Sequence, residues 1–103
     1  MYARLVKVHM KPGKFDVATS RLEDKVIPLL KKQKGFRDEV SFFDTEKDES
    51  VAISFWDSEA DMRLYEKDVY PDLMRSLTDT FDGTPEVQHF EVANSTWYKI
   101  HAS

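Results

Sequence analysis

Two histidines, a lysine and a tyrosine are the side chains whose types suit proton chemistry. His9 stands near the end of Tyr2–Met10 (YARLVKVHM), where alternation sets it on one side with Leu5 and Lys7. A neutral imidazole titrates near physiological pH and can take a proton, which makes His9 the candidate general base. Its plain alternative is a partly exposed histidine at a strand end. His89 lies on a later strand expected beside the first, within approach of His9. Two histidines without a carboxylate rarely hold a metal, so no metal site is expected and packing is the default reading of His89. The chain has no Cys, which excludes a thiolate nucleophile, a disulfide and a Cys-based zinc site. Its glycines, at 13, 35 and 83, read as turns or caps, so there is no phosphate-cradling loop.

These side chains need elements to hold them. Residues 51–56 (VAISFW) form a strand suited to burial on both faces. Asp57 and Ser58 stop it, and Ser58 is a good helix N-cap because its hydroxyl can accept from an orphan backbone N–H. Glu59 and Asp61 then put negative charge at the positive end of the helix dipole. Tyr2–Met10 is the opening strand, with Val6, Val8 and Met10 opposite the His9 side. Lys11-Pro12-Gly13-Lys14 is a turn. A helix is predicted over residues 15–34, its stripe made by Phe15, Ala18, Leu22, Val26, Leu29 and Leu30. Pro28 predicts a kink or break in it, and Gly35 a left-handed end. Phe36–Asp44 is the second strand, joined to the third by a solvated loop at residues 45–49. The second helix runs over residues 58–69, is interrupted at Asp68, Pro71 and Asp72, and continues at helical spacing from Tyr70 to Phe81. Asp82-Gly83 and Pro85 end it, and a fourth strand follows over residues 86–92, with an extension at 96–100. The order β-α-β-β-α-β is the ferredoxin-like α+β pattern: a four-stranded antiparallel sheet with both helices on one face.

The chain has 103 residues, 41% hydrophobic and 33% charged, which fits a single domain over 1–103. The net charge is −4 and no basic stripe is present, so nucleic acid is not an expected partner. No apolar run approaches the ~20 residues of a membrane span. The N-terminus alternates instead of forming an apolar signal region, so a cytoplasmic location is expected.

The sheet face without helices still carries large apolar side chains. Leu5, Phe42 or Phe43, Phe55 or Trp56, and Phe90 or His89 are candidates for it. Exposed patches of several hundred Å² are rare on monomers. The expected cover is a second copy, giving a homodimer whose sheets face each other around small-molecule cavities. Trp97 and Tyr98 read as partner contacts.

Three stretches, MKPGK at 10–14, IPLLKKQKGF at 27–36 and ISFWDSEADMRLYE at 53–66, resemble the antibiotic-biosynthesis monooxygenase-like family of the dimeric α+β barrel superfamily. The resemblance covers residues 2–92. It implies the dimeric barrel and accounts for Pro28, since that family tends to carry a proline there. It also implies a range of activities: cofactor-independent oxygenation of quinols and anthrones, haem degradation, or none known. The haem-degrading pattern of Asn, Trp and His is met here by Lys7, Tyr65 and Arg75. A guanidinium cannot ligate iron, so no haem or other cofactor is expected. The oxygenase branch tends to use polar and aromatic side chains, which implies Tyr65, at the cavity mouth, and Lys7 orienting an aromatic or quinone-like substrate, beside His9 as the base read from its own chemistry. Trp56 and His89 complete the expected substrate-binding set, although the family's recurring Trp56 is also a packing anchor between strand and helix. The function expected is a monooxygenase-like enzyme; the alternative is a non-catalytic ligand-binding or stress-response barrel.

Overall fold

The computed structural model describes residues 1–97. Its sheet is built from β1 (Tyr2–Met10), β2 (Phe36–Asp44), β3 (Glu49–Trp56) and β4 (Phe81–Glu91), in the order β2-β3-β1-β4. All three pairings are antiparallel. The helices are α1 (Phe15–Arg21), α2 (Ile27–Leu30), α3 (Glu59–Asp68) and α4 (Tyr70–Arg75). The expected ferredoxin-like α+β fold is therefore present. Among the described residues no helix is long and apolar enough to cross a membrane.

The register assigns side chains to faces, because directly paired residues point the same way. Arg4 pairs with Ser54 and His89, and Val6 with Ala52 and Val87. These rows face the helices. Leu5 pairs with Ile53 and Gln88, and Lys7 with Val51 and Glu86, on the face that no helix covers. The core lies under the helices, where Trp56 and Met62 are fully buried among Val26, Leu30, Tyr65 and Leu73.

Pro28 is accommodated by a device that the sequence pattern did not specify. Between α1 and α2 the chain makes a π-helical turn over Leu22–Val26, and Ile27 N–H bonds back to the Leu22 carbonyl. The wider turn restarts the helix just ahead of Pro28, which then sits in a first turn where its missing N–H costs nothing. α2 ends at Leu30, earlier than the expected residue 34. The break at Val69 agrees with the expectation, with Pro71 opening α4. Ser58 caps α3 by accepting from Asp61 N–H at 3.2 Å.

The second helical region ends sooner than its spacing predicts. α4 stops at Arg75, and Phe81 is already in β4, paired with Met10. Asp82, Gly83 and Pro85 thus lie inside a strand. A register shift opposite Lys7–His9 absorbs them, and Gly83 takes the left-handed conformation (φ 73°) that such an irregularity favours. The extension expected at 96–100 does not include Thr96 or Trp97; its remainder, with Tyr98, lies outside the described residues.

Candidate functional site

Alternation on β1 places Arg4 on the same face as Val6 and Met10, under the helices, and the side chain is only 2% exposed. A charge so deep needs partners. Its Nε donates to Glu66 Oε2 of α3 at 2.7 Å, and its guanidinium lies 3.9 Å from the centre of the Tyr70 ring and 5.6 Å from that of Tyr65. Its Nη2 is buried and has no hydrogen-bond partner.

Three neighbours complete the polar row across the sheet. In order they read Glu39, Ser54, Arg4, His89, one from each strand. Ser54 Oγ accepts from Trp56 Nε1 at 2.9 Å. His89 Nε2 lies 2.7 Å from Glu66 Oε2. An ionised carboxylate only accepts, so His89 carries a proton on Nε2 and donates it. Arg63 Nη1 donates to the other Glu66 oxygen at 3.2 Å. Burial opposes ionisation of Glu66, but the bonds from Arg4 and His89 outweigh it and hold its pKa down at about 2. Glu39 differs. Its Oε1 accepts from Ser41 Oγ at 2.8 Å, while its Oε2 is buried without a partner. Burial pushes the Glu39 carboxyl above the usual carboxylate range; Ser41 pulls it down and nearby Asp38 adds to the rise.

Arg4 and Glu39 line one cavity of about 110 Å³. Its walls are otherwise mostly apolar, from Val6 and Ala52 of the sheet and Leu22, Val26 and Leu73 of the helical layer. Tyr65 and Tyr70 stand at the Arg4 end. Burial lifts the Tyr65 phenol to about 12, against the pull of the Arg4 charge, so its hydroxyl stays protonated as a donor. A second compartment of about 100 Å³ shares Val6, Leu22, Ala52, Met74 and Leu77 and runs toward Met10 and Phe43. Glu39 also lines a groove at the outer edge of β2, beside Lys31 and Arg37. It therefore stands between the interior cavity and that edge. Neither compartment alone reaches the ~150 Å³ of an apolar cavity that holds benzene; the two together, on shared walls, exceed it.

The five residues singled out from the sequence fall on both sides of the sheet. Tyr65, Trp56 and His89 are on the helix-covered side. Tyr65 lines the cavity. Trp56 is fully buried against Phe36 and Tyr65 as an anchor, and His89 reaches the cavity's Arg4 through Glu66. His9 and Lys7 are on the open side. His9 is exposed, with Nδ1 4.0 Å from the Asp82 carboxylate. Lys7 Nζ lies 2.9 Å from Glu49, whose hydrogen bond and charge raise the lysine pKa. The expected approach of His9 to His89 does not occur: β1 alternation sends His9 to one face, and the pairing of His89 with Arg4 sends it to the other. Arg4, Glu39, Glu66 and Tyr70 were not singled out. Arg4 had a legible signal, a lone charge on the strand face of Val6, Val8 and Met10. Glu39 had none, because a register shift between Phe36 and Asp38 resets the faces of β2.

Among the described residues no three His, Asp or Glu side chains converge to hold a metal ion. No family model and no curated protein matches the sequence. Solved structures do match. A monooxygenase from the Streptomyces coelicolor gene ActVA-Orf6, solved in complex with nanaomycin D, aligns with a TM-score of 0.78 at 15% identity, covering 93% of this chain and 90% of that one. An antibiotic biosynthesis monooxygenase aligns at 0.70 and 14% identity, over 90% and 99% of the two chains. NE2512 of Nitrosomonas europaea, a protein of unknown function, aligns at 0.71 and 15% identity, over 93% and 92%. The chain thus has the fold of the antibiotic biosynthesis monooxygenases.

Proposed function

We propose that the protein is a cofactor-independent oxygenase acting on a small phenol or quinol held between sheet and helices. The observation that carries this reading is a guanidinium and a carboxyl lining one apolar cavity, Arg4 and Glu39, each with a buried polar atom left unpartnered. A buried donor or acceptor left without a partner costs roughly 1–3 kcal/mol, and a ligand that meets both recovers it. Glu39 is the base. Its raised pKa brings it nearer to neutrality, which favours proton transfer at neutral pH. It takes the phenolic proton, and charge spreads from oxygen onto the ring. Arg4 Nη2 faces the developing negative charge. A ring carbon bearing hydrogen then reacts with dioxygen to give a hydroperoxide, protonated by the proton that Glu39 holds. Loss of water leaves a quinone: one oxygen atom enters the product, the other leaves as water, and the substrate supplies both electrons. The fold shared with a monooxygenase solved with nanaomycin D supports the reading.

The same reading includes a homodimer through the open sheet face. Phe42, Phe90 and Trp97 there are 54%, 47% and 52% exposed, and Trp97 packs edge-on against Phe55. At about 25 cal/mol per Å², covering several hundred Å² contributes several kcal/mol. His9 and Lys7 then lie at the subunit interface.

Oxygen uptake by metal-stripped protein with a panel of small quinols and anthrones tests the proposal. Uptake above the spontaneous rate, lowered about 10²–10⁴-fold in Glu39→Gln and retained in His9→Ala, is expected. Uptake lost in His9→Ala and kept in Glu39→Gln returns the base to the open face. No uptake with any substrate favours the second reading, a non-catalytic ligand-binding barrel. That reading draws support from a cavity well below the ~300–1,000 Å³ of most ligand sites.

A further inference from the structure

We infer that the substrate's ring carries a short alkyl substituent, ethyl- or propyl-sized, which runs along β1 from the first compartment into the second. The inference rests on the proposed function for the ring and its hydroxyl, and it adds the part of the molecule that the second compartment takes.

Size alone requires both compartments. They measure about 110 and 100 Å³, each below the ~150 Å³ of an apolar cavity that holds benzene. A ring therefore reaches across the walls they share, which are Val6 and Ala52 on the sheet and Leu22, Met74 and Leu77 above it. Beyond the ring there remains room for about two groups the size of a water molecule, ~30 Å³ each, and a methyl or methylene group is of that size.

The strand sets the direction. Arg4, Val6, Val8 and Met10 alternate onto the helix-covered face; Arg4 and Val6 line the first compartment, and Val6, Val8 and Met10 the second. At ~3.3 Å per residue the Cα atoms at the two ends stand about 20 Å apart, so the joined space is long and narrow. A substituent para to the hydroxyl extends the ring along it. The junction is passable. Ala52 is its smallest side chain, paired with Val6 on one side and Ser41 on the other, and Met74 is unbranched and adaptable.

Polarity sets the chemistry of the substituent. Hydroxyls on the walls are engaged within the protein. Ser54 Oγ accepts from Trp56 Nε1 at 2.9 Å, Ser41 Oγ donates to Glu39 at 2.8 Å, and Thr80 Oγ donates to the Leu77 carbonyl at 2.6 Å. Val8, Met10, Ala18 and Phe81 of the second compartment offer apolar contact. A polar substituent there loses its water without gaining a partner, whereas an alkyl group gains from burial.

Calorimetric titration of the full chain with phenol, para-ethylphenol, para-hexylphenol and para-(hydroxymethyl)phenol tests this. Each buried methylene is worth about fourfold in affinity, so para-ethylphenol is expected to bind at least about tenfold more tightly than phenol. Para-hexylphenol overruns the space and is expected to gain nothing over the ethyl compound, and the hydroxymethyl compound is expected to bind no more tightly than phenol. Ala18→Leu fills the second compartment from α1. Ala52→Val narrows the junction and serves if the first variant unfolds. In either, the ethyl gain is expected to fall to about one while phenol still binds. Equal affinity for phenol and para-ethylphenol, a rise that continues through para-hexylphenol, an ethyl gain that survives in both variants, or no binding at all overturns the inference. An ethyl gain in binding without oxygen uptake from the ethyl-substituted quinol contradicts the oxygenase reading alone; uptake from a quinol without any ethyl gain in binding overturns this inference alone.

Discussion

Replacing Glu66 by Gln should destabilise the protein strongly near neutrality and hardly at all in acid. Glu66 is the hub that neutralises buried Arg4 and receives His89 and Arg63. Its pKa falls from 4.5 in an open chain to about 2 in the fold. A depressed carboxylate contributes stability that is complete above its unfolded pKa and is lost as pH drops through the folded one. At 1.36 kcal/mol per pKa unit this fall corresponds to about 3 kcal/mol, an upper figure because the side chain is 24% exposed and partly screened. The cost is close to that of breaking a buried pair, ~3–5 kcal/mol. Urea unfolding followed by tryptophan fluorescence checks it, with Trp56 in the core as reporter. Near pH 7 the variant should lose about 2–3 kcal/mol, and near pH 2.5 the difference should shrink below about 1 kcal/mol. A loss of equal size at both pH values, or none near neutrality, would refute the assignment of Glu66 as the ionised hub.

Gly35 has φ 78°, and a Cβ there would lie 2.7 Å from Asp61 Cβ and closer still to the Asp61 carboxylate. Gly35→Ala should cost well over the ~1–2 kcal/mol of the left-handed backbone alone, whereas Gly13→Ala, with open space around it, should cost only that; thermal melts compare them. Ser58→Ala removes the cap bond to Asp61 N–H and should cost about 1 kcal/mol in the same assay. Phe42→Glu places a charge on the open sheet face; sedimentation equilibrium should show a dimer for the unaltered chain and a monomer for the variant, and a dimer in both would locate the contact elsewhere.

Much of the fold was legible because its signals are local and repeat along the chain. The alternation of Tyr2–Met10, the Ser58 cap and the Val69 break each depend on a few adjacent residues. The errors came where a distant partner overrides the local pattern. Phe81 sits at helical spacing after Leu77, yet pairing with Met10 draws it into β4. Pro28 announced a break but not the π-helical turn that absorbs it. The site was less legible for the same reason. His9 was chosen by residue type and by the strand face it shares with Leu5 and Lys7, and that face is the open one, opposite the cavity between sheet and helices. Arg4 signalled itself only when its strand face was taken as buried. Glu39 required the β2 register, which a shift at Phe36–Asp38 hides from a reading by alternation.

The pH profile of oxygen uptake with a small quinol, in the unaltered chain and in Glu39→Gln, tests the central claim most directly. Glu39 acts as a base only when ionised, and burial raises its pKa, so uptake should be absent at low pH and rise with pH through an apparent pKa above the usual glutamate range. In Glu39→Gln the profile should follow the spontaneous reaction throughout. The same rise in both proteins, or a rise that disappears only in His9→Ala, would contradict the account.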